Sequence, residues 1–431
     1  MRVIADLHIH SRYSRATSEK MCPEEIARFA KIKGLNLVGT GDFTHPKWLK
    51  ELQENLIREE NTSLYKLRSH DLPVSFMMTT EVCTIFSFQN ESKKVHHVIL
   101  TPSVETAAQV NDRLSKYGDL TSDGRPTLNM DAPSLVEEVM EVSSENMVFP
   151  AHAWTPWFSI FGAFSGFNSV EECYQDMTKH IHALETGLSS DPPMNWRLSK
   201  LDSYTLVSNS DSHSFWPWRI GREANVFELE QLSYHEVVDA VRCKDWKRFK
   251  FTIETDPAYG KYHWTGHRNC HVSLSSQEAI KLGNVCPVCR RKLTKGVEQR
   301  VEELADRPVY FEPENAIRFK RLLPLSEIIA TVLGSDSPST QKVWGIYNSL
   351  VERFGNEYNV LIDAPLDVLS AVADREVAEA VVKVREGKVK VIPGYDGVYG
   401  RLNLSEEGSA VKDVKDVYGR VRQLNLTDFM G

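Results

Sequence analysis

The chain has 431 residues, of which 41% are apolar and 26% charged, so its composition excludes a collagen-like or wholly disordered protein. Its formal net charge of −8 excludes a uniformly basic protein that coats DNA, although it is compatible with a local basic groove. No apolar run reaches the roughly 18 residues of a membrane span, and no signal-peptide pattern precedes the first strand, so we expect a cytoplasmic protein without a membrane partner.

Short apolar runs alternate with helical patterns along the first part of the chain. Residues 2–5 predict a strand, residues 23–34 a helix that begins at Pro23 and stops at Gly34, and residues 35–40 a buried strand. Strand–helix alternation over about 250 residues predicts an α/β domain with a largely parallel sheet, open or closed into a barrel. Further strands are predicted at residues 76–81, 95–100, 147–152, 183–185 and 205–208, and helices at 133–142 and 195–201.

The composition changes near residue 256. Residues 257–297 are rich in Tyr, His, Cys and Gly, which indicates a small module held together by a metal. From about Pro324 the pattern is helical, and the Gly-rich residues 391–402 predict a loop or small hairpin. We therefore divide the chain into a barrel-type domain at residues 1–255, a metal-binding module at 256–310 and a mainly helical domain at 311–431.

Residues that can bind metals stand at or beside the ends of the predicted strands. The carboxyl ends of strands collect functional groups in parallel α/β folds, so we expect these side chains to converge. Residues two apart on a strand point to the same side, so His8 and His10 can reach one ion together, as can Asp211 and His213. One His-x-His pair is weak evidence of a metal, but six such strand ends predict a metal centre. The set comprises His8, His10, Asp42, Glu81, His96 or its neighbour His97, His152, Asp211 and His213.

A second metal site is predicted within residues 256–310. The pairs His267/Cys270 and Cys286/Cys289 each have two intervening residues and are separated by fifteen. Each short turn can present two ligands to one tetrahedral ion, which is the arrangement of a structural zinc site. His263 is an alternative to His267 as the fourth ligand. The odd number of cysteines, seven, also favours metal binding over a disulfide framework.

Aromatic and basic residues beside these sites are candidate DNA contacts. Aromatic residues crowd the segments after His152 and His213, where they would stack on a displaced base or pack in the core. Arg219 or Arg222 would hold a phosphate oxygen or pair with an acid such as Glu223. Charge runs are usually solvated faces, so the basic residues after Cys289 are ambiguous by themselves. The candidate contacts are Trp154, Trp157, Trp216, Trp218, Arg219, Arg222, Arg290 and Arg291.

The motifs resemble those of a known superfamily. DLHIHS, TGDF, TTEV, KVHH, PAHAW and SDSH occur in the order seen in the PHP (polymerase and histidinol phosphatase) superfamily. KYHWTGHRNC, CPVCRRKLTKGV and SFWPWRIGREANVF extend the resemblance to the endonuclease Q family over essentially the whole chain. The resemblance implies a distorted (β/α)7 PHP barrel, a small zinc-binding module and a mainly helical C-terminal domain in contact with DNA. It also implies two or three divalent ions (Zn, Mn or Mg) in the barrel and one structural Zn.

The resemblance also implies a distribution of ligands. One ion would be held by His8, His10, Glu81 and Asp211, a second by Glu81, His96 and His152, and a third by Asp42 and His213. Glu81 and Asp211 would organise catalysis, and Asp42 and His213 would complete the third site or position the attacking water. Residues 12–17 lack a histidine that many PHP proteins have there, and Asp42 stands where many have a loop histidine, so a two-metal centre is the alternative. The sequence context of His96 is the closer to the family motif, which favours it over His97.

The function implied by the resemblance is DNA repair. Such an endonuclease hydrolyses the phosphodiester 5′ of uracil, hypoxanthine, xanthine or an abasic site and leaves 3′-hydroxyl and 5′-phosphate ends. Damaged DNA is the implied partner, a replication sliding clamp is a further candidate, and a monomer is expected. The alternatives are a small-molecule phosphoesterase of the histidinol phosphatase type and a non-catalytic DNA-binding PHP protein. Roughly 180 residues beyond the predicted barrel favour a macromolecular substrate, and the near-complete ligand set favours an active enzyme.

Overall fold

A computed structural model describes residues 1–403 of the chain. The strands, in chain order, are β1 (Arg2–Asp6), β2 (Leu37–Gly39), β3 (Leu56–Arg58), β4 (Tyr65–Leu67), β5 (Ser75–Phe88), β6 (Glu91–Thr101), β7 (Thr127–Leu128), β8 (Met147–Pro150), β9 (Ala183–Glu185), β10 (Thr205–Val207), β11 (Ala224–Glu228), β12 (Phe249–Glu254), β13 (Thr265–His267), β14 (Val272–Leu274), β15 (Arg318–Arg321), β16 (Lys390–Ile392) and β17 (Arg401–Asn403). The α-helices are α1 (Pro23–Lys33), α2 (Pro46–Asn55), α3 (Val104–Leu114), α4 (Ala132–Val142), α5 (Val170–Tyr174), α6 (Pro192–Asn195), α7 (Tyr234–Arg242), α8 (Ser276–Lys281), α9 (Val297–Leu304), α10 (Leu325–Val332), α11 (Gln341–Phe354), α12 (Leu366–Ser370) and α13 (Arg375–Arg385).

The first helix forms where the sequence predicts it. Pro23 lies in its first turn, and Gly34 ends it with a φ of 100°, in the left-handed region that favours glycine. The apolar face of α1, with Ile26, Phe29 and Ala30, is buried in the core. The predicted helix at 133–142 is confirmed as α4, whereas the pattern at 195–201 is divided between α6 and a short 3-10 turn, Ser199–Leu201.

The main sheet is mixed, so the prediction of a largely parallel sheet is only partly right. β1 and β2 are parallel, as are β2 and β5, but β5 and β6 form a long antiparallel hairpin. Its two-residue turn, Gln89 and Asn90, has positive φ at both positions, which matches the twist of antiparallel strands. β1 also pairs in antiparallel register with β11. The fold is therefore mixed α/β, with hairpins inserted among the parallel strands.

The strands around β1 form a closed circuit. β1 pairs with β2, β2 with β5, β5 with β6, and β6 with β8. A bridge between Val148 and Ile181 leads to β9, β9 pairs with β10, and a bridge between Ser212 and Ile9 returns to the segment after β1. The segments that follow β1, β8, β9 and β10 therefore meet at one rim of the circuit.

The C-terminal region begins with a strand and not with a helix. β15 pairs in parallel with β12, so it extends the main sheet across the boundary that the sequence suggested at residue 255. Helices α10 to α13 follow, and β16 and β17 form the antiparallel hairpin predicted for the Gly-rich segment. The rest of the predicted helical domain, residues 404–431, lies outside the described residues. Within residues 1–403, every helix is too short or too polar to cross a bilayer.

Candidate metal centre

Four predicted ligands from three segments meet at the rim of the strand circuit. His8 and His10 follow β1, Glu81 lies on β5, and Asp211 follows β10. One potential ligand atom from each of these residues lies within 4.8 Å of the others. The bridge between Ile9 and Ser212 holds the first and last segments side by side, so the alternation of a strand turns both histidines toward Glu81 and Asp211.

A second donor group shares Glu81 with the first. Glu81 Oε2 lies 3.2 Å from His10 Nε2 and 3.5 Å from His8 Nε2. Its other oxygen, Oε1, lies 2.8 Å from His96 Nδ1 and 3.1 Å from His152 Nε2. Each oxygen of this buried carboxylate thus faces a different set of imidazoles, which is the geometry required of a residue that bridges two cations.

The electrostatics of the group favour an ionised Glu81. Burial opposes ionisation, but Arg125 and the surrounding histidines hold the pKa of Glu81 well below its usual range. Burial also acts against the charged form of His8, yet Glu185 and Glu81 raise the pKa of His8 well above its usual value. Burial lowers the pKa of His96 to about 4 despite the attraction of Glu81, so this imidazole is neutral at pH 7 and its nitrogen lone pair is free to bind a cation.

The donor chemistry fits divalent cations. His8 Nε2 is buried and has no hydrogen-bond partner, although it faces Glu81 and Asp211. A buried nitrogen of this kind is satisfied when it binds a metal. The Asp211 side chain is 30% exposed, so the first group is open toward solvent and a substrate can approach it.

Polar side chains contact the Nδ1 atoms of three of these histidines and so orient the rings. His8 Nδ1 lies 3.0 Å from Glu185 Oε2, and His10 Nδ1 lies 2.9 Å from Asp42 Oδ1. His152 Nδ1 lies 2.9 Å from Thr155 Oγ1. Such partners fix the tautomer and the direction of an imidazole and so raise its affinity for a metal.

Asp42 therefore does not have the position expected of a ligand in a third site. Its Oδ1 faces His10, while its Oδ2 accepts hydrogen bonds from the Ser11 amide and hydroxyl and from the Ser14 hydroxyl. His213 stacks on the His10 ring at 4.3 Å, and its Nε2 lies 3.7 Å from Asp211 Oδ1. Among the described residues, the strand circuit thus carries two groups of three or more converging donors, and Asp42 and His213 belong to neither.

The structure separates His96 from His97. His96 belongs to the second donor group, whereas His97 Nδ1 lies 2.7 Å from the Tyr174 hydroxyl and its Nε2 lies 2.9 Å from Thr84 Oγ1. Adjacent residues of a strand point to opposite faces, so only one of them can face the rim. The geometry favours His96, as the sequence context did.

Glu185 and Arg125 are functional candidates that the sequence did not single out. Glu185 ends β9, one of the predicted strands, so the strand-end rule had the signal to find it. Arg125 precedes β7 and does not follow the carboxyl end of a strand, and its Nη1 donates to Glu81 Oε2 at 3.0 Å. Nothing in its local sequence indicates that contact.

Replacement of Glu185 by Gln should weaken metal binding. The amide keeps the size of the side chain but removes the charge that orients His8, so we expect a roughly 10–100-fold loss of affinity for Zn²⁺ or Mn²⁺. Calorimetric titration of the metal-free protein with Zn²⁺ or Mn²⁺ measures this affinity. Glu230→Gln, at an exposed carboxylate, is the matched control and should leave the affinity unchanged. Equal affinities for Glu185→Gln and the control would contradict the orienting role.

The predicted zinc ligands also converge. One ligand atom each from His267, Cys270, Cys286 and Cys289 lies within 4.8 Å of the others. The Cys286 amide donates to the Arg291 carbonyl at 2.7 Å, and the Arg290 amide donates to the Cys286 carbonyl at 2.9 Å, so the second pair sits on a tight knuckle. His263 stands outside this group, with a buried Nδ1 that has no partner, which favours His267 as the fourth ligand.

The candidate aromatic contacts occupy different environments. Trp154 is 1% exposed and donates from Nε1 to Asn195 Oδ1 at 2.8 Å, so it belongs to the core and the expectation that it stacks on DNA is wrong. Trp157 is 40% exposed and stacks on Phe164 at 4.9 Å. Trp216 is also exposed and stacks on Trp218 at 5.0 Å with nearly parallel rings. Trp157, Trp216 and Trp218 therefore remain accessible to a ligand.

The candidate arginines also differ in exposure: two are exposed and two are wholly or partly buried. Arg290 and Arg291 are exposed on the knuckle, beside Cys289. Arg219 is half-buried and Arg222 is buried, and both line a cleft beside the loop that follows His213. The expected ion pair between either of them and Glu223 does not form among the described residues, where Glu223 Oε1 accepts instead from the Thr255 amide.

Comparison with known proteins places this architecture in a family. A lesion-specific endonuclease from Pyrococcus furiosus, PfuEndoQ, has a crystal structure that superposes with a TM-score of 0.84, at 34% identity over 97% of this chain and 100% of that one. The chain belongs to the endonuclease Q family. A crystal structure of an endonuclease Q bound to a 27-mer duplex with an abasic lesion at its active site matches with a TM-score of 0.83, at 35% identity over 94% of this chain and 97% of that one. The family is therefore one of nucleases that cleave DNA.

Three further matches are to a domain family and to two uncharacterized proteins. The MJ0043 C-terminal domain profile matches residues 324–388, which hold α10 to α13. The uncharacterized protein YqxK of Bacillus subtilis is 26% identical over 93% of this chain and 99% of its own length. The uncharacterized protein MJ0043 of Methanocaldococcus jannaschii is 32% identical over 59% of this chain, but the match covers only 32% of that protein.

Proposed function

We propose that this member of the endonuclease Q family is a metal-dependent endonuclease that hydrolyses a phosphodiester of damaged DNA. The observation that carries the proposal is the position of Glu81, whose two oxygens face two separate groups of imidazole and carboxylate donors. Two cations held by the two oxygens of Glu81 would suit the in-line displacement of a phosphodiester. The strand circuit that positions Glu81 would be the distorted (β/α)7 barrel implied by the sequence.

The specific substrate follows from the family and the motifs. We infer cleavage 5′ of a deaminated base (uracil, hypoxanthine or xanthine) or an abasic site, with 3′-hydroxyl and 5′-phosphate products. The crystal structure of a relative with an abasic duplex supports damaged DNA as the ligand. Exposed Trp157 and Phe164, in the loop after His152, supply an aromatic surface against which an extruded base would stack.

Each residue of the site would have a distinct role in binding the ions or in orienting their ligands. His8, His10, Glu81 and Asp211 would hold one divalent ion, and Glu81, His96 and His152 a second. When bound, such ions activate water at neutral pH and neutralise the charge that develops on the phosphate. Glu185 and Asp42 keep His8 and His10 in the required orientation. Burial and the neighbouring His10 lower the pKa of His213 to about 4, so this residue is a neutral acceptor beside Asp211.

Arg125 would hold the scissile phosphate. Its loop is fixed by hydrogen bonds from the Gly124 amide to the Tyr13 carbonyl and from the Cys83 amide to the Pro126 carbonyl, both at 3.0 Å. This anchoring aims the guanidinium at Glu81 Oε2, and the side chain is 27% exposed toward the rim. A guanidinium at this position can donate to a non-bridging phosphate oxygen beside the cations. We therefore assign the contact with the scissile phosphate to Arg125.

Removal of Arg125 should slow turnover while the metals stay bound. Arg125→Ala is expected to lower kcat by roughly 100-fold, because a charge-assisted contact to the reacting phosphate is worth about 3 kcal/mol. Elemental analysis should give unchanged metal content, and added guanidinium chloride should restore part of the rate. Arg15→Ala, at an exposed arginine that pairs with Asp123 near the same loop, is the control. Metal loss without chemical rescue would show that Arg125 only maintains the site.

A nicking assay tests the proposed function. Duplexes that carry one uracil, hypoxanthine or abasic site should be cut on the 5′ side of the lesion in Mg²⁺, Mn²⁺ or Zn²⁺, and undamaged duplex should remain intact. Hydrolysis of histidinol phosphate without nicking would favour a small-molecule phosphoesterase. Tight binding of lesion DNA without turnover would favour a non-catalytic DNA-binding protein.

A further inference from the structure

A cleft of about 440 Å³ lies between the loop at residues 216–222 and the C-terminal region. One wall is formed by the side chains of Trp218, Arg219 and Arg222, and the other by α10 and the serine-rich turn at residues 335–339. The volume lies within the roughly 300–1,000 Å³ of small-ligand sites. The residues that line the cleft include none of the metal-centre donors, so it is a separate feature of the molecule.

The loop that carries these arginines is held rigidly. The Gly221 amide donates to Asp6 Oδ2 at 2.8 Å, and its carbonyl accepts a hydrogen bond from the Tyr358 hydroxyl. The buried Lys33 ammonium donates to the Pro217 carbonyl at 2.8 Å and pairs with Glu357 at 2.6 Å. The loop is therefore clamped between the barrel and the C-terminal helices, which gives its outward side chains fixed positions.

Arg222 is a buried cation with an unsatisfied donor. Arg222 is 6% exposed, and its Nε is buried without a hydrogen-bond partner among the described residues. An arginine stays charged in a protein, so burial without a partner is costly. The adjacent Glu223 is a poor counter-ion, because burial and Glu254 raise its pKa well above the usual range and favour the neutral acid. The cleft thus offers the guanidinium of Arg222 to an anion, although the carboxylates of Glu327 and Asp336 also line it.

The remaining lining groups narrow the chemical class of that anion. The indole of Trp218 is half-buried and stacks on Trp216, so it offers a flat apolar surface. Glu327 Oε2 is a buried acceptor without a partner, and the hydroxyls of Ser337 and Ser339 lie on the opposite wall. A guanidinium, an aromatic face and a lone acceptor match the phosphate, the ring and an amino group of a nucleotide.

We propose that this cleft binds one nucleotide of the DNA strand, with its phosphate on Arg222 and Arg219 and its base against Trp218. The proposal rests on the proposed endonuclease function and adds a DNA subsite apart from the metal centre. It assigns an anchoring role to two arginines that lie outside the two donor groups.

Fluorescence anisotropy tests the cleft without cleavage and with all metals bound, if the labelled duplex carries one abasic site and a non-hydrolysable linkage on its 5′ side. Arg222→Gln should weaken binding roughly tenfold and lower the slope of log Kd against log salt concentration by about one, whereas Arg222→Lys should keep the slope. Arg375→Gln, at an exposed arginine of α13 that pairs with Glu379, is the matched control. If Arg222→Gln does not fold by thermal melting, Ser337→Glu introduces a negative charge on the opposite wall and should weaken binding equally.

Unchanged affinity and salt slope in a folded Arg222→Gln or Ser337→Glu variant would overturn the proposal. Stabilisation of the wild type, but not of Arg222→Gln, by free dAMP with no change in DNA affinity would also overturn it, in favour of a free nucleotide as ligand. The proposed function fails separately, if the wild type nicks no damaged duplex. If the wild type nicks damaged duplexes and Arg222→Gln binds DNA normally, only the proposed role of the cleft is wrong.

Discussion

Glu81→Gln is expected to reduce nicking of an abasic duplex by roughly a thousandfold. The amide has nearly the same size as the carboxylate, but it carries no charge and can offer only one oxygen where Glu81 offers two. Loss of a shared ligand removes several kcal/mol of cation-based stabilisation of the transition state, and each 1.4 kcal/mol is about a factor of ten in rate. Single-turnover nicking at saturating Mn²⁺ measures the loss, and elemental analysis should show fewer bound ions per chain.

The controls for Glu81 lie on β6, the strand that pairs with β5. Glu91→Gln lies at the start of β6, where Glu91 pairs with Lys93 on the surface, and should nick at the normal rate. His96→Ala and His97→Ala form a second comparison between neighbours. His96→Ala should lose activity, whereas His97→Ala loses only the contacts with Tyr174 and Thr84 and should alter stability more than metal content. Full activity in Glu81→Gln would remove the basis of the metal assignment.

Much of the metal centre could be predicted from the sequence because its geometry follows from strand periodicity. His8 and His10 are two apart, which places both on one face of an extended segment. The hydrogen bonds of Asp42 could not be predicted, because a sequence does not show how a carboxylate is already bonded. Ser11 and Ser14 occupy its second oxygen, and Gly124 packs so closely that a Cβ there would lie 2.3 Å from it. The expectation that Trp154 stacks on DNA is wrong for a related reason, since its hydrogen-bond partner Asn195 is distant in the chain.

The fold was harder to predict where long-range pairing decides it. The β5–β6 hairpin places Glu81 opposite Val98 and Cys83 opposite His96, and no local pattern reports that register. The pairing of β15 with β12 likewise joins segments about sixty residues apart, across a module with its own metal ligands. Local signals were sufficient for α1, α4 and the C-terminal hairpin because caps and glycines determine their ends.

Cys286→Ser should remove one zinc ion per chain and unfold residues 263–295 of the metal-binding module without unfolding the domain at residues 1–255. A structural zinc contributes about 10 kcal/mol or more to a small module, while the apolar cluster of this module is small and centres on Val272, Leu274 and Leu293. Elemental analysis should give the loss of zinc, and hydrogen exchange should show lost protection in β13 and β14. Cys243→Ser, at an exposed cysteine outside the donor group, is the matched control and should retain the ion.

The same variant should also weaken the action on DNA, through a chain of contacts that begins at the zinc ligands. β13 contributes His267 and contacts α9, where Thr265 Oγ1 donates to Gln299 Oε1 at 2.7 Å. On the same helix, Arg300 Nη2 donates to the Phe167 carbonyl at 3.0 Å, in the aromatic loop that also carries Trp157. Loss of the zinc should therefore loosen that loop and raise KM for lesion DNA about tenfold, which corresponds to about 1.4 kcal/mol, without loss of any ion bound at Glu81. Normal KM in a zinc-free chain would mean that the module stabilises only itself.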